Sequence, residues 1–301
     1  MYDTIIIGSG VSGLGAAIYA GRFRMKTLVL GDKPGGTVVL TNDVANYPGF
    51  KQITGIDLSD KIKEHAKEYG VEIIDKKADR VEKTKEGFKV KTSDKEFETK
   101  TIIFATGTEW RKLGVPGEKE FTGKGVHYCA LCDGSFYKDK IIAVVGGSDS
   151  AAKEALLLTE YAKRVYIIYR KEKIRAEPVT IEKVDKSDKI EIINNTNVVE
   201  IKGDKFASSA VFDKEYKGSK DFKLDGIFID IGHIALSSLA KDMGVKLNEK
   251  NEIIIDKASK TNVEGIFGAG DVCDTPFKQA ITGVAGGVTA AYSAYQYLNS
   301  K

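Results

Sequence analysis

The 301-residue sequence has few cysteines, few prolines and little net charge: three cysteines, five prolines and a formal net charge of +3. So few cysteines do not build a framework of structural disulfides. The 46 basic residues nearly balance the 43 acidic ones, so no strong field for nucleic acid or an anionic membrane is expected. The length is enough for two domains of ordinary size.

Long apolar runs are also missing, since none approaches the roughly 18 residues of a membrane-spanning helix. The opening Met1-Tyr2-Asp3 leads directly into the apolar residues 4–7, without the basic segment and cleavage site of a secretory leader. We therefore expect a cytoplasmic protein. Glycine, with 31 residues, is abundant and clusters where predicted strands meet predicted helices, which is typical of cofactor loops.

One pattern, a β-branched strand followed by a glycine loop and an alanine-rich helix, occurs twice. The first copy has a strand over 4–7, the loop Gly8-Ser9-Gly10-Val11-Ser12-Gly13 and a helix over 14–20. The second has the strand Ile141–Val145, a loop that begins at Gly146-Gly147-Ser148 and a helix over 152–159. The sequence therefore predicts an α/β protein with two Rossmann-like, three-layer ββα dinucleotide-binding domains.

The second domain is predicted to be inserted into the first. Residues 1–113 and 238–301 form one discontinuous domain in this interpretation, and residues 114–237 form the inserted one. The assignment uses several further segments: strand-like alternation over 72–90 and 95–103, a turn-rich stretch over 110–117, a buried strand over 226–232, a glycine motif over 265–271 and a closing helix over 279–298.

The first glycine loop has the residues that a dinucleotide pyrophosphate requires. Gly8, Gly10 and Gly13 allow a tight turn, close approach of the backbone to the ligand, and contact between helix and strand. The helix N-terminus adds a partial positive charge. An acidic ribose ligand is expected about 20 residues further on, and Asp32, which follows the strand Thr27–Leu30, is the candidate.

The second loop departs from this pattern, because Ser148 stands where the second glycine allows the closest approach. Its Cβ is expected to weaken or shift nucleotide binding. The next predicted strand is followed by Arg170, Lys171 and Arg175, at the place where an NAD-specific site has an acid. These cations favour a nucleotide with a 2′-phosphate, with a solvated basic turn as the alternative.

Cys129 and Cys132 are spaced so that their thiols can close a small disulfide ring, which favours redox chemistry. A metal site would also need His127 and Cys273, but no second close pair with zinc spacing is present. Asp133 directly follows Cys132. It is predicted to act as a general acid if burial raises its pKa, or else only to complement a helix dipole.

The order and spacing of the motifs resemble the low-molecular-weight thioredoxin reductases over essentially the whole chain. In the related glutathione reductase type, the redox cysteines lie near the N-terminus, whereas here they precede the second glycine loop. The motifs that carry the resemblance are the loop at Gly8, Gly35-Gly36-Thr37, Asn46-Tyr47-Pro48-Gly49, Ala105-Thr106-Gly107, Cys129-Ala130-Leu131-Cys132-Asp133-Gly134 and Gly268-Ala269-Gly270-Asp271.

The resemblance implies an FAD site in the discontinuous domain and an NADPH site in the inserted one. Lys278 stands where the family has an arginine, so the charge is kept and the fork geometry is lost. The residues implied for FAD are Gly8, Ser9, Gly10, Gly13, Asp32, Gly35, Gly36, Thr37, Asn46, Thr106, Gly107, Gly270, Asp271, Lys278, Gln279 and Ala280. Those implied for the nicotinamide nucleotide are Gly146, Ser148, Asp149, Ser150, Arg170, Lys171 and Arg175.

By the same resemblance, electrons pass from NADPH through FAD to Cys129 and Cys132, and then to a thioredoxin-like protein. Cys132 would face the flavin, Cys129 would attack the partner disulfide, and Asp133 would be the acid. A homodimer is also implied. So is rotation between two domain orientations, hinged over 112–117 and 232–236.

Three features depart from the family pattern, and all lie on the nicotinamide side. They are Ser148, Tyr169 in place of a histidine, and the segment 232–236, which lacks Pro-Asn after His233. The electron donor is therefore the part of the interpretation that the motifs define least. NADPH is the first choice because of the cations after the second loop, NADH is the second, and a deazaflavin donor is a further alternative. The same scaffold also allows a flavin oxidase, a dithiol oxidase, or a redox sensor that holds FAD and turns over slowly.

Overall fold

A computed structural model describes residues 1–41 and 44–300 of the chain. The helices of these residues are α1 (Val11–Arg22), α2 (Gly55–Glu68), α3 (Glu118–Phe121), α4 (Ala130–Asp133), α5 (Asp149–Leu158), α6 (Pro178–Lys186), α7 (Ser238–Asp242) and α8 (Ala280–Asn299). Short 3-10 turns span Gly36–Leu40, Gly134–Tyr137 and Gly270–Val272.

The strands of the described residues, in chain order, are β1 (Tyr2–Ile7), β2 (Thr27–Leu30), β3 (Glu72–Ile74), β4 (Arg80–Lys83), β5 (Phe88–Lys91), β6 (Glu96–Phe104), β7 (Thr108–Trp110), β8 (Val126–His127), β9 (Ile141–Val145), β10 (Arg164–Ile168), β11 (Ile190–Ile193), β12 (Val198–Gly203), β13 (Ala207–Tyr216), β14 (Ser219–Lys223), β15 (Gly226–Ile229), β16 (His233–Ala235) and β17 (Ile266–Gly268).

The chain divides into two compact units. Met1–Glu109 and Ile234–Lys301 form one, which we call the discontinuous unit, and Trp110–His233 forms the other, which we call the inserted unit. No helix in the described part of the chain is long and apolar enough to cross a membrane.

The discontinuous unit is built on a parallel sheet in the order β3-β2-β1-β6, and β17 also pairs in parallel with β6. On the edge that does not face β1, strand β6 pairs with two different strands. Its first residues pair antiparallel with β5 and its last residues pair with β17. The carboxyl ends of β1, β2, β6 and β17 therefore meet at one edge of the sheet, where doubly wound folds bind their ligands.

Successive residues of the central strands enter two different cores, as the period of two in a strand requires. Ile6 packs with α1 and α8, whereas Ile5 and Ile7 face the opposite core. Helices α1 and α8 approach closely because small residues line their contact. A Cβ on Gly287, for example, would lie 2.0 Å from the carbonyl oxygen of Ser12.

The inserted unit repeats the strand, loop and helix arrangement with β9 and α5. Its parallel sheet has the order β11-β10-β9-β15-β8. Strand β9 has the predicted bounds. Helix α5 begins three residues before the predicted start because the Ser148 side chain caps it, and β15 ends before Gly232, whose φ is +96°. The antiparallel sheet β12-β13-β14 was not predicted.

The two segments in which the chain passes from one unit to the other run side by side, since β7 pairs with β16. In the discontinuous unit, the Leu236 N–H donates to the Gly107 carbonyl at 3.0 Å. In the inserted unit, the Arg111 N–H donates to the Gly232 carbonyl at 2.8 Å. Each unit is therefore entered and left at neighbouring points of its surface.

Candidate functional site

The first glycine loop joins β1 to α1, and the protein's own backbone requires two of its glycines. Gly8 has a φ of +121°, and a Cβ there would lie 2.1 Å from the Ala105 carbonyl oxygen. A Cβ on Gly13 would lie 1.9 Å from the Gly8 oxygen. At Gly10 the nearest atom would be 3.6 Å away, the Gly36 Cα. Gly10 therefore leaves room for a ligand to approach the backbone.

Helix α1 presents an open N-terminus at this loop. Gly10 is the N-cap, no side chain caps the helix, and its first turn has no acidic residue. The partial positive charge of the helix end is therefore not offset by a nearby carboxylate. The Ser9 hydroxyl is buried and has no hydrogen-bond partner among the described residues. These features fit the pyrophosphate of FAD.

The segment Gly35-Gly36-Thr37 lies against the first loop. Gly35 and Gly36 have φ values of +81° and +67°, and the Gly35 N–H donates to the Ser9 carbonyl at 2.9 Å. Asp32 is exposed between this segment and the end of β2. The structure therefore brings together two predicted FAD segments that are separate in sequence.

The third glycine motif reaches the same edge of the sheet. A Cβ on Gly270 would lie 2.2 Å from the Ser12 hydroxyl, so the Gly270-Asp271 turn lies beside the first turn of α1. Thr106 and Gly107 follow β6 at this edge, and the Thr106 hydroxyl donates to the Leu236 carbonyl at 2.7 Å. The turn and the end of β6 thus border the open N-terminus of α1.

Lys278, Gln279 and Ala280 lead into α8. The Asn46 amide donates to the Gln279 side chain at 3.0 Å, which joins two predicted flavin contacts far apart in sequence. The Lys278 ammonium pairs with Glu252 and donates to the Asp271 carbonyl at 2.8 Å. The sequence analysis did not identify Glu252. Its carboxylate forms an ion pair with Lys278, so the positive charge of Lys278 is neutralised within the protein.

The second glycine loop differs from the first in how its helix begins. The Ser148 hydroxyl caps α5 by accepting the Ala151 N–H at 3.2 Å, and Asp149 places a carboxylate in the first turn. Burial alone would raise the pKa of Asp149, but hydrogen bonds from Lys153 and from the Glu177 N–H outweigh it and lower that pKa. The N-terminus of α5 is therefore less open to a pyrophosphate than that of α1.

Tyr169 and the predicted cations surround the second loop. A Cβ on Gly147 would lie 2.3 Å from the Tyr169 ring, and the Arg175 N–H donates to the Gly147 carbonyl at 2.7 Å. Arg170, Lys171 and Arg175 are exposed, and none forms an ion pair within the described part of the chain. The loop thus retains free positive charge although its helix is capped.

Cys129 and Cys132 form a disulfide at the start of α4 in the inserted unit. Cys129 is the N-cap, and its sulfur accepts the Cys132 N–H at 3.2 Å. Such a bond would favour the thiolate of Cys129 after reduction. Cys129 is only 7% exposed, whereas Cys132 is exposed.

Asp133 is the first residue of a chain of polar contacts behind α4. Its carboxylate lies 3.0 Å from Nδ1 of His127, and Nε2 of His127 lies 2.7 Å from the Tyr137 hydroxyl. Burial, together with the nearby Asp133 and Asp225 carboxylates, raises the pKa of Tyr137 to about 12. Sequence reasoning considered His127 only as a metal ligand. Its place two residues before Cys129 was the available signal for a role at the redox pair.

Glu154 is a second buried group that sequence reasoning missed. Burial raises the pKa of its carboxyl to about 8, and the Asp230 carboxylate adds to the shift. The carboxyl accepts the Ala130 N–H and so connects α5 to the start of α4. A charged residue on the otherwise small and apolar face of α5 was the signal in the sequence.

The described residues contain no candidate metal site, because no group of three or more His, Cys, Asp or Glu side chains among them could hold an ion. Cys273 is fully buried beside Gly268. Burial raises the pKa of its thiol to about 12, so this cysteine is not a nucleophile near neutral pH.

A family model described as pyridine nucleotide-disulphide oxidoreductase matches residues 2–293. Thioredoxin reductase of Bacillus subtilis (strain 168) is 40% identical, over 99% of this chain and 95% of the relative. Among solved structures, thioredoxin reductase of Lactococcus lactis (FR conformation) has a TM-score of 0.96 at 40% identity, over all of both chains. That of T. acidophilum has a TM-score of 0.92 at 36% identity, over 98% of each. The predicted fold class is confirmed by these similarities.

Proposed function

Because the chain belongs to the thioredoxin reductases of the pyridine nucleotide-disulphide oxidoreductase family, we propose that it uses NADPH to reduce a thioredoxin-like protein. It is an FAD-dependent thiol-disulfide oxidoreductase. The observation that carries the proposal is the Cys129–Cys132 disulfide with Asp133 on the same short helix. The oxidase and sensor alternatives are not favoured by the named relatives.

We assign FAD to the discontinuous unit and the nicotinamide nucleotide to the inserted unit. Gly10, the uncapped N-terminus of α1 and the unpartnered Ser9 hydroxyl support the FAD site. Gln279 and Asn46 would border its flavin end. Bound there, FAD would supply two-electron transfer between a reduced nicotinamide and the disulfide.

In the reduced protein, Cys129 would attack the partner disulfide as a thiolate, supported by the Cys132 N–H. Cys132 would then attack the mixed disulfide and release the reduced partner. Asp133 would give a proton to the leaving thiolate. Cys132 is the more exposed residue of the pair, and exposure alone would favour the opposite order of attack.

NADPH is the proposed donor because of the exposed cations Arg170, Lys171 and Arg175, which suit a 2′-phosphate. The capped helix α5 works against tight binding of the pyrophosphate. We therefore expect a preference for NADPH over NADH that comes from the 2′-phosphate, with modest affinity for either nucleotide.

Anaerobic stopped-flow reduction of the FAD-loaded protein tests both assignments. We expect NADPH to bleach the flavin faster than NADH. We expect the wild type to take up two more electrons than Cys132→Ser, because that variant cannot store a pair in the dithiol. Cys273→Ala is the matched control, and it should take up as many electrons as the wild type.

Each outcome of that experiment addresses one assignment. If a chemical two-electron donor reduces the flavin and neither nicotinamide does, the NADPH assignment is wrong. If Cys132→Ser takes up as many electrons as the wild type, the dithiol assignment is wrong. Rapid peroxide formation in air without a protein substrate would favour the oxidase. A mixed disulfide with thioredoxin that is stable in Cys132→Ser and absent in Cys129→Ser would support Cys129 as the attacking thiol.

We also propose that the protein is a homodimer, as in its family. Exposed rings on the adjacent helices α1 and α8 support an interface, with Tyr19 38% and Tyr292 50% exposed. Beside them, Phe23 stacks on Tyr295 with ring centroids 4.7 Å apart. Contiguous exposed apolar surface of this kind is typical of protein interfaces. A monomeric mass in light scattering would contradict the dimer.

A further inference from the structure

The inserted unit contains a line of three polar side chains, Asp133, His127 and Tyr137, that begins directly beside the redox pair. Asp133 is the outer end, with 31% of its side chain exposed, and His127 is only 7% exposed. The ring of His127 stacks on Phe228 with centroids 5.2 Å apart. The imidazole is therefore held in one place, with a defined partner at each nitrogen.

The two partners determine which protonation states His127 can adopt. An ionised Asp133 only accepts hydrogen bonds, so Nδ1 of His127 must carry a proton to bond to it. Tyr137 can either donate or accept. Its hydroxyl can therefore serve a neutral imidazole as donor to Nε2, or a protonated imidazole as acceptor from Nε2–H.

The groups that face this line from the neighbouring elements are few. Strand β15 contributes Phe228, which is in register with His127 on β8 and with Val144 on β9. Asp225, before β15, acts on Tyr137 and accepts the Ile141 N–H at 2.8 Å. Asp133 and Asp225 are the carboxylates next to this line, and the Glu154 carboxyl accepts the Ala130 N–H at the start of α4.

We propose that His127 is a positioning residue that holds the Asp133 carboxyl where it can protonate a leaving thiolate. The inference rests on the proposed role of Asp133 as acid. In the exchange step, the Cys129 thiolate forms a bond to one partner sulfur, the partner disulfide breaks, and the second partner sulfur leaves with the electron pair. Asp133 protonates that sulfur. The Nδ1–H of His127 then holds the resulting carboxylate in place, and solvent returns a proton to Asp133, whose side chain is 31% exposed.

Two probe disulfides separate this role from general damage to the site. An aromatic disulfide releases a thiolate of low pKa that needs no proton, whereas an alkyl disulfide releases a basic thiolate that does. The FAD-loaded full-length protein is reduced with excess dithiothreitol, desalted and mixed with either probe. This measurement needs neither a nicotinamide nor thioredoxin.

We expect His127→Gln to slow the reaction with the alkyl disulfide about tenfold or more, the effect of losing one hydrogen bond to a charged group. The reaction with the aromatic disulfide should change little. His127→Asn, whose amide nitrogen can take the place of Nδ1, should keep a donor near Asp133 and retain most of the alkyl rate. His65→Gln, an exposed histidine on α2, is the matched control.

A double substitution shows whether His127 acts through Asp133. His127→Gln should add nothing to the defect of Asp133→Asn, because the two residues act as a unit. If His127→Gln slows both probes equally, or adds its full effect to Asp133→Asn, the inference is wrong. If His127→Gln does not fold, Tyr137→Phe replaces it and should remove part of the alkyl-specific rate. A reduced wild type that reacts with neither probe would instead contradict the proposed dithiol chemistry.

Discussion

Glu154 is a buried carboxyl whose proton the folded protein holds more tightly than the unfolded chain does. Its pKa is raised from 4.5 to about 8. The stability linked to this group is fully present below about pH 4.5 and is lost as the pH rises to about 8. Replacing it with Gln keeps an acceptor for the Ala130 N–H and removes the ionisation.

In the wild type, the ionisation of Glu154 should lower the free energy of unfolding by up to about 1.4 kcal/mol per pH unit across this window. We expect Glu154→Gln to lack this decrease. The melting temperature of the FAD-loaded protein, followed by circular dichroism at both ends of the window, checks this. The exposed Glu160→Gln just after α5 is the control and should melt like the wild type. Equal pH slopes for Glu154→Gln and the wild type would contradict the role of Glu154.

The sequence predicted the roles of some single residues and not those of others. Gly8 and Gly13 were both predicted from local spacing, but only at Gly13 does the steric demand come from the same loop, because a Cβ on Gly8 would meet Ala105 after β6. His127 and Glu154 were not predicted, because their partners lie on other elements, and contacts between elements leave no local pattern. The role of Asp133 was predicted from its place after Cys132, but the imidazole behind it was not.

At the scale of elements, α1 and α5 follow the same kind of strand and loop but differ at their N-termini. Helix α1 is uncapped, whereas Ser148 caps α5. Exchanging a serine N-cap for glycine lowers the stability of the protein by only about a few tenths of a kcal/mol, so the variant should fold. The substitution Ser148→Gly would free the Ala151 N–H and remove the Cβ where the pyrophosphate of the proposed nucleotide would lie.

We expect Ser148→Gly to bind NADP⁺ at least about tenfold more tightly, the effect of one added hydrogen bond to a charged group. Isothermal titration against the wild type measures this. Ser150→Gly, an exposed position in the same turn, is the control and should not gain affinity. Unchanged binding in Ser148→Gly would mean that the pyrophosphate does not lie at the start of α5.

Elements with continuous apolar runs were predicted well, because a parallel strand covered on both faces is apolar throughout. Strands β2 and β9 have their predicted bounds, and the closing helix was found as α8. The sheet β12-β13-β14 was missed because charged residues interrupt its strands, as on an exposed sheet. The three strands pair as consecutive hairpins closed by residues 204–206 and 217–218, so the missed pairing is local in sequence.

At the scale of the whole molecule, each of the apolar core clusters of the described residues lies within a single unit. Two belong to the discontinuous unit and two to the inserted unit. The sequence predicted an insertion from the order of its motifs. It could not show that Asn46 meets Gln279, since that contact forms only when both parts of the discontinuous unit pack together.

Because each unit has its own core, we expect each to fold alone. The neighbouring points at which the chain enters and leaves each unit allow it to be excised or rejoined. Residues 110–233 should fold when expressed alone and retain the Cys129–Cys132 disulfide, without binding FAD. Residues 1–109 joined to 234–301 by a short glycine linker should bind FAD, since the 3.0 Å bond between Leu236 and Gly107 keeps the two ends adjacent. Flavin absorbance after gel filtration and circular dichroism of each fragment are the measurements. Failure of the linked fragment to hold FAD that the full chain retains would mean that the inserted unit is needed for the FAD site.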